Sequence, residues 1–149
     1  MSSIGPTSSA GEWGLPASAF HHVGFVVGSI TQVANEFAES IGATWDTNVI
    51  HDPLQVVRVT FLRPTVPQNP VVELVEPAGD DSPVIGFLKR GGGLHHLCYE
   101  VDGLEKQLEV ARSMGILIAK PPKAAVAFGG RRIAWVYTKQ RLMLELLEK

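Results

Sequence analysis

Apolar residues run along this chain in two rhythms, and the pair of rhythms occurs twice. Phe20 to Val27 is a short run rich in Val and Phe, of strand length. From Ser29 the period lengthens, so that Ile30, Val33, Ala34, Phe37 and Ile41 fall on one face of a helix. Ser29 and Gln32 occupy capping-box positions at its start and Gly42 stops it. Three strand-like stretches follow, Thr44 to Val49, Val56 to Leu62 and Val71 to Val75, set apart by turns containing Pro and Asn. The pattern then restarts. His95 to Val101 reads as a strand, and Leu104, Leu108, Ala111 and Met114 as a helical stripe with Asp102 as N-cap, Glu105 at the box position and Gly115 as the stop. Strands are expected near Ile116 to Ala119, Arg132 to Tyr137 and Leu142 to Leu147. Between the two rounds, Ser82 and Pro83 predict the start of a short connecting helix.

Repetition of a βαβββ order implies the α+β class, with two modules pairing curved mixed sheets around a shared cleft. The expected organisation is a flexible N-terminal tail over residues 1–18 and one domain over residues 19–149. Within it, module one covers about 19–79, the connecting helix about 80–92 and module two about 93–149. At 149 residues the chain is long enough to bury a core that neither half would hold well alone. Its 13 basic and 15 acidic residues nearly cancel, so there is no field to gather nucleic acid or anionic lipid. A small-molecule partner is expected instead. No uncharged apolar run reaches membrane-spanning length, and the single Cys98 fits a reducing, cytoplasmic setting.

The duplication carries the chemistry. Phe20-His21-His22-Val23-Gly24 echoes Leu94-His95-His96-Leu97-Cys98, and Val71-Val72-Glu73-Leu74-Val75-Glu76 echoes Met143-Leu144-Glu145-Leu146-Leu147-Glu148 at nearly the same spacing. Strand alternation puts His22 with Gly24 and Val26, and His96 with Cys98 and Glu100. Glu73 and Glu145 stand among apolar strand neighbours, where an unpartnered carboxylate is costly, so each calls for a positive partner. Two His and two Glu suit a divalent ion such as Co, Mn, Ni, Fe or Zn, with positions left over for water or substrate. Glu76 and Glu148, at strand ends, read as solvent-facing, and Cys98 as a small buried side chain. The runs Gly91-Gly92-Gly93 and Phe128-Gly129-Gly130 read as turns, and Lys89, Arg90, Arg131 and Arg132 as a solvated face.

This double βαβββ plan resembles the vicinal oxygen chelate superfamily, which includes glyoxalase I, extradiol dioxygenases, bleomycin and fosfomycin resistance proteins, and methylmalonyl-CoA epimerases. Asp81-Ser82-Pro83-Val84-Ile85-Gly86-Phe87-Leu88, running on into Gly93-Leu94-His95-His96-Leu97-Cys98-Tyr99-Glu100-Val101-Asp102, is most similar to the epimerases, and the resemblance covers roughly residues 20–148. It implies His22, Glu73, His96 and Glu145 as metal ligands, a homodimer, and a 2-substituted malonyl thioester or similar carbonyl compound as substrate. It also implies a metal-dependent epimerase that shifts a proton next to a carbonyl through a chelated enolate, with Glu145 among the catalytic groups. Two departures stand out. Leu54 occupies the position of an epimerase glutamate that acts as a base, and Val56 that of a glycine. His51 and Asp52 are then the titratable residues nearby that are left to move the proton. The turn Lys139-Gln140-Arg141 is also shorter than its epimerase counterpart. Within the same superfamily the alternatives are a glyoxalase-like lyase or isomerase, and a non-catalytic ligand-sequestering protein of the resistance type.

Overall fold

Each buried strand of this protein alternates between two apolar environments, and that alternation decides which side chains reach the cleft. The computed structural model describes residue 13 and residues 19–149. Nine strands form one mixed sheet. In chain order they are β1 (Ala19–Val26), β2 (Ala43–Trp45), β3 (Ile50–Asp52), β4 (Val57–Pro64), β5 (Val71–Pro77), β6 (Gly93–Val101), β7 (Leu117–Ala124), β8 (Arg132–Tyr137) and β9 (Met143–Glu148). The helices are α1 (Ile30–Ile41), α2 (Ile85–Lys89) and α3 (Leu104–Ser113). Across the sheet the order is β2-β4-β5-β1-β6-β9-β8-β7, with β3 also pairing β4. The two halves join where β1 meets β6 antiparallel; β1 lies parallel to β5, and β6 parallel to β9.

One face of the sheet is covered by helices. Ile30, Ala34 and Ala38 of α1 pack on Leu62, Val72 and Leu74. Leu104 and Leu108 of α3 pack on Ala134, Val136, Leu144 and Leu146. The residues in between face the other way, into a cleft floored by Val26, Val57, Val59 and Val75 on one side and Cys98, Ile133 and Leu147 on the other. Glu73 lies between Val72 and Leu74, and Glu145 between Leu144 and Leu146, so the period of two delivers both carboxylates to the cleft.

Several local expectations change. Thr44 to Val49 is not a single strand: the chain leaves the sheet after Trp45, an Asx turn sets the Asn48 N–H on Asp46 Oδ1 at 2.9 Å, Thr47 adopts φ 65, and pairing on β4 resumes as β3. Neither capping box forms. Ser29 holds the N-cap position of α1 without a side-chain cap bond, and its hydroxyl lies 3.4 Å from that of Thr31. Gly103, at φ 63, takes the N-cap of α3 in place of Asp102, whose carboxylate pairs with Lys149, while Glu105 pairs with Arg132 at 2.6 Å. The connecting helix begins at Ile85, because Ser82 Oγ accepts the Val84 N–H at 3.4 Å and closes a turn ahead of it. Strand β7 runs on to Ala124, through Pro121 and Pro122 at the sheet edge, where the missing N–H groups leave no ladder bond unmade. Trp13 packs against the core under α3, and the rest of the expected tail lies outside the described residues. Among the described residues no helix is long and apolar enough to cross a membrane.

Candidate metal centre

Two rows of the sheet build the site. Along one, Phe61 of β4, Glu73 of β5, Gly24 of β1 and His96 of β6 stand opposite one another; along the other, His22 of β1, Cys98 of β6, Glu145 of β9 and Trp135 of β8. Each His therefore faces the Glu of the other half across one small residue. At Gly24 the fit is close: a Cβ there would sit 2.0 Å from His96 Cε1 and 2.4 Å from Nε2. Glycine is required for His96 to lie over the strand.

The four side chains are buried. His22 Nε2 stands 3.2 Å from His96 Nε2, 3.4 Å from Glu73 Oε1 and 3.2 Å from Glu145 Oε1. His96 Nε2 stands 3.3 Å from Glu73 Oε1 and 3.6 Å from Glu145 Oε1. Four donor atoms of this type around a cation at about 2.0–2.1 Å would be separated by roughly 3.4 Å in a tetrahedral arrangement, so the cluster has the size of a coordination shell. Glu145 Oε1 is buried and makes no regular hydrogen bond; its polar neighbours are the ring nitrogens of His22 and His96, at 3.2 and 3.6 Å. Burial alone would lower the basicity of His22, but the Glu73 and Glu145 carboxylates outweigh it and raise its pKa to about 10. Burial likewise works against the Glu73 carboxylate, yet His22 and His96 hold it well below the usual range. The pocket is thus built for positive charge. The residues present fit a divalent metal ion, which His22, Glu73, His96 and Glu145 would hold.

Both halves add the same support behind the ligands. His21 Nδ1 lies 2.8 Å from His22 Nδ1, and His95 Nδ1 lies 2.8 Å from His96 Nδ1. An imidazole that offers Nε2 to a cation carries its proton on Nδ1, so with an ion bound His22 and His96 would donate to His21 and His95, fixing tautomer and ring orientation. Burial, and then the neighbouring ligand His, lowers the pKa of His21 and takes that of His95 to about 4, keeping both acceptors neutral. The tandem His-His in each echo was the available sequence signal for this role. Phe128 stacks on the His22 ring at 5.8 Å, a contact with no such signal. Cys98 is fully buried, and burial, then the Glu145 carboxylate, push its thiol far up, so it remains a neutral S–H.

The cluster opens into a cavity of about 430 Å³ lined mostly by apolar side chains. His51 is exposed and does not line it. Asp52 does, but its carboxylate is committed: Oδ1 accepts the N–H groups of Leu54 and Gln55 at 3.0 and 3.1 Å, and Oδ2 that of Val126 at 2.8 Å. Neither is brought to the cluster, because β3 pairs on the outer side of β4, away from β1 and β6. Leu54 and Val56 also line the cavity. Val56 has φ 56, a backbone setting that costs a β-branched residue about 1–3 kcal/mol. The remaining acids and bases singled out by position are paired elsewhere: Glu76 with Arg58 at 3.3 Å, Glu148 with Arg132, and Glu100 with Arg131 at 2.6 Å.

The chain is 28% identical over 122 residues to the ethylmalonyl-CoA/methylmalonyl-CoA epimerase of Cereibacter sphaeroides, a match covering 80% of this chain and 87% of that protein. Among solved structures, a hypothetical protein from Bacillus halodurans C-125 superposes with a TM-score of 0.76 at 25% identity, covering 89% of this chain and 95% of the other. Methylmalonyl-CoA epimerase from Mycobacterium tuberculosis superposes with a TM-score of 0.71 at 23% identity, covering 87% of each, and at that identity it shows the shared fold. Residues 21–135 match the family profile, and the chain belongs to the Glyoxalase/Bleomycin resistance protein/Dioxygenase superfamily.

Proposed function

We propose that this protein is a metal-dependent isomerase of the methylmalonyl-CoA epimerase type, moving a proton on the carbon between two carbonyl groups of an acyl thioester. The observation that carries this is the convergence of four buried ligand atoms, from His22, Glu73, His96 and Glu145, all within 4.8 Å of one another at the base of an open cavity. A divalent ion bound there would act as a Lewis acid toward the two carbonyl oxygens, stabilising the negative charge that develops when the proton leaves. The chain's own residues shape the site around it. Glu73 and Glu145 supply the negative charge that retains the ion, and His21 and His95 keep the ligand imidazoles turned inward. Phe61 and Phe128, against His22, keep bulk water from that side of the site. Lys120 and Lys123, exposed at the cavity's edge, are the cations available to an anionic thioester carrier. The similarity to the Cereibacter sphaeroides epimerase supports the substrate class, and a homodimer in the cytoplasm belongs to the same reading.

One observation favours a second reading. Asp52 is saturated by backbone donors and Leu54 is apolar, so that wall of the cavity offers no free carboxylate to carry a proton. A protein that holds its ligand without turnover would have such a wall. Deuterium exchange separates the two. Incubating metal-replete protein with methylmalonyl-CoA in D₂O should place deuterium on the carbon between the carbonyls. Binding without exchange would select ligand capture, and neither binding nor exchange would reject the substrate class.

A further inference from the structure

The turn between β3 and β4 spends backbone strain on a side-chain position. Val56 is β-branched and left-handed at φ 56, where glycine would fit without crowding. The turn is held there from three sides. The Val56 carbonyl accepts the Ala78 N–H at 3.1 Å, Asp52 fixes the Leu54 and Gln55 N–H groups, and Gln55 Nε2 donates across the cleft to the Ala124 carbonyl at 3.2 Å. Locked in this way, Leu54 and Val56 extend the apolar layer of Val57, Val59 and Val75 from the cluster toward the cavity mouth. Leu54 is 44% exposed there. Displacing water from these apolar side chains favours an apolar ligand segment laid against them, and a methyl group, with only about one water's share of liquid volume, about 30 Å³, covers little of them.

We infer that Leu54 and Val56 are specificity-determining residues, and that the site takes a chelating malonyl head whose 2-substituent is an alkyl chain longer than methyl, laid along this wall. This rests on the metal-chelate reading above. It adds that the apolar part of the ligand, beyond the chelating head, is selected by residues of module one.

The test uses small probes and needs no turnover. Protein loaded with Co²⁺ is titrated calorimetrically with 2-methyl-, 2-ethyl-, 2-propyl- and 2-butylmalonate. Burial of each added methylene should tighten binding about fourfold, so butyl should bind roughly 60-fold tighter than methyl. In Val56→Gly, which relieves the backbone strain, and in Leu54→Ala, the metal content should hold while the butyl-to-methyl ratio falls at least fourfold. Affinity that is flat or falls with chain length, or a ratio unchanged in both variants, would overturn this inference alone. If no malonate binds, methyl included, the chelate reading fails and takes this inference with it.

Discussion

Replacing Gly24 by alanine puts a methyl group in place of a hydrogen at the most crowded point of the metal centre. The new Cβ would lie 2.0 Å from His96 Cε1, 2.4 Å from Nε2 and 2.5 Å from Nδ1. Carbon atoms in contact stay about 3.5 Å apart or more, so the ring must retreat by roughly 1.5 Å. Coordination bonds tolerate about 0.2 Å. His96 therefore leaves the cluster, while His22, Glu73 and Glu145, on other strands or further along β1, keep their places. Disturbing a ligand's support alone costs about 10–100-fold in affinity, so loss of the whole ligand should exceed about 100-fold. The metal-free protein should lose about 1–3 kcal/mol from overpacking, roughly 2–12 °C in Tm at this chain length. Competition against a chromophoric chelator measures the first effect and thermal unfolding with and without metal the second. Gly28→Ala is the control, because a Cβ there meets nothing within 4 Å. A Gly24→Ala protein that binds metal within threefold of wild type would refute the row-by-row construction of the site.

Three further outcomes follow from the same geometry. His22, with its pKa raised to about 10, is an imidazolium at neutral pH in the metal-free protein and must give up its proton to bind. Affinity should therefore rise about tenfold per pH unit below that value; calorimetry in buffers of different ionisation enthalpy should show about one proton released, and no release would contradict the pairing of His22 with the two carboxylates. His21→Phe and His95→Phe should each weaken metal binding about 10–100-fold while preserving the fold, and equal affinity to wild type would show that the Nδ1 contacts do not orient the ligands. Asp52→Ala strips the partner from three N–H groups and should cost about 3 kcal/mol, a Tm loss of roughly 6–12 °C. A change below 1 °C would mean that water replaces the carboxylate without penalty.

Much of the fold can be read along the chain because the repeat states each rule twice. Val72, Glu73 and Leu74, and again Leu144, Glu145 and Leu146, announce strands buried on both faces with one carboxylate turned away from the helix. Boundaries were less legible where a local competitor intervened: the Asp46 turn that splits β2 from β3, and Arg132 and Lys149, which draw Glu105 and Asp102 away from the cap of α3.

The sequence alone thus determined the period of each element, the parity that sends His22, His96, Glu73 and Glu145 to one face, and the excess of acid over base at that face. Only the tertiary structure decided that His96 lies over Gly24 and that His22 meets the Glu of the opposite half. The same holds for Asp52, turned to backbone N–H groups, and for Leu54 and Val56, which line the cavity. The reason is range: side-chain parity is fixed within two residues by the pleat, whereas the register of β1 on β6 and the seating of the β3–β4 turn depend on partners some 70 residues away.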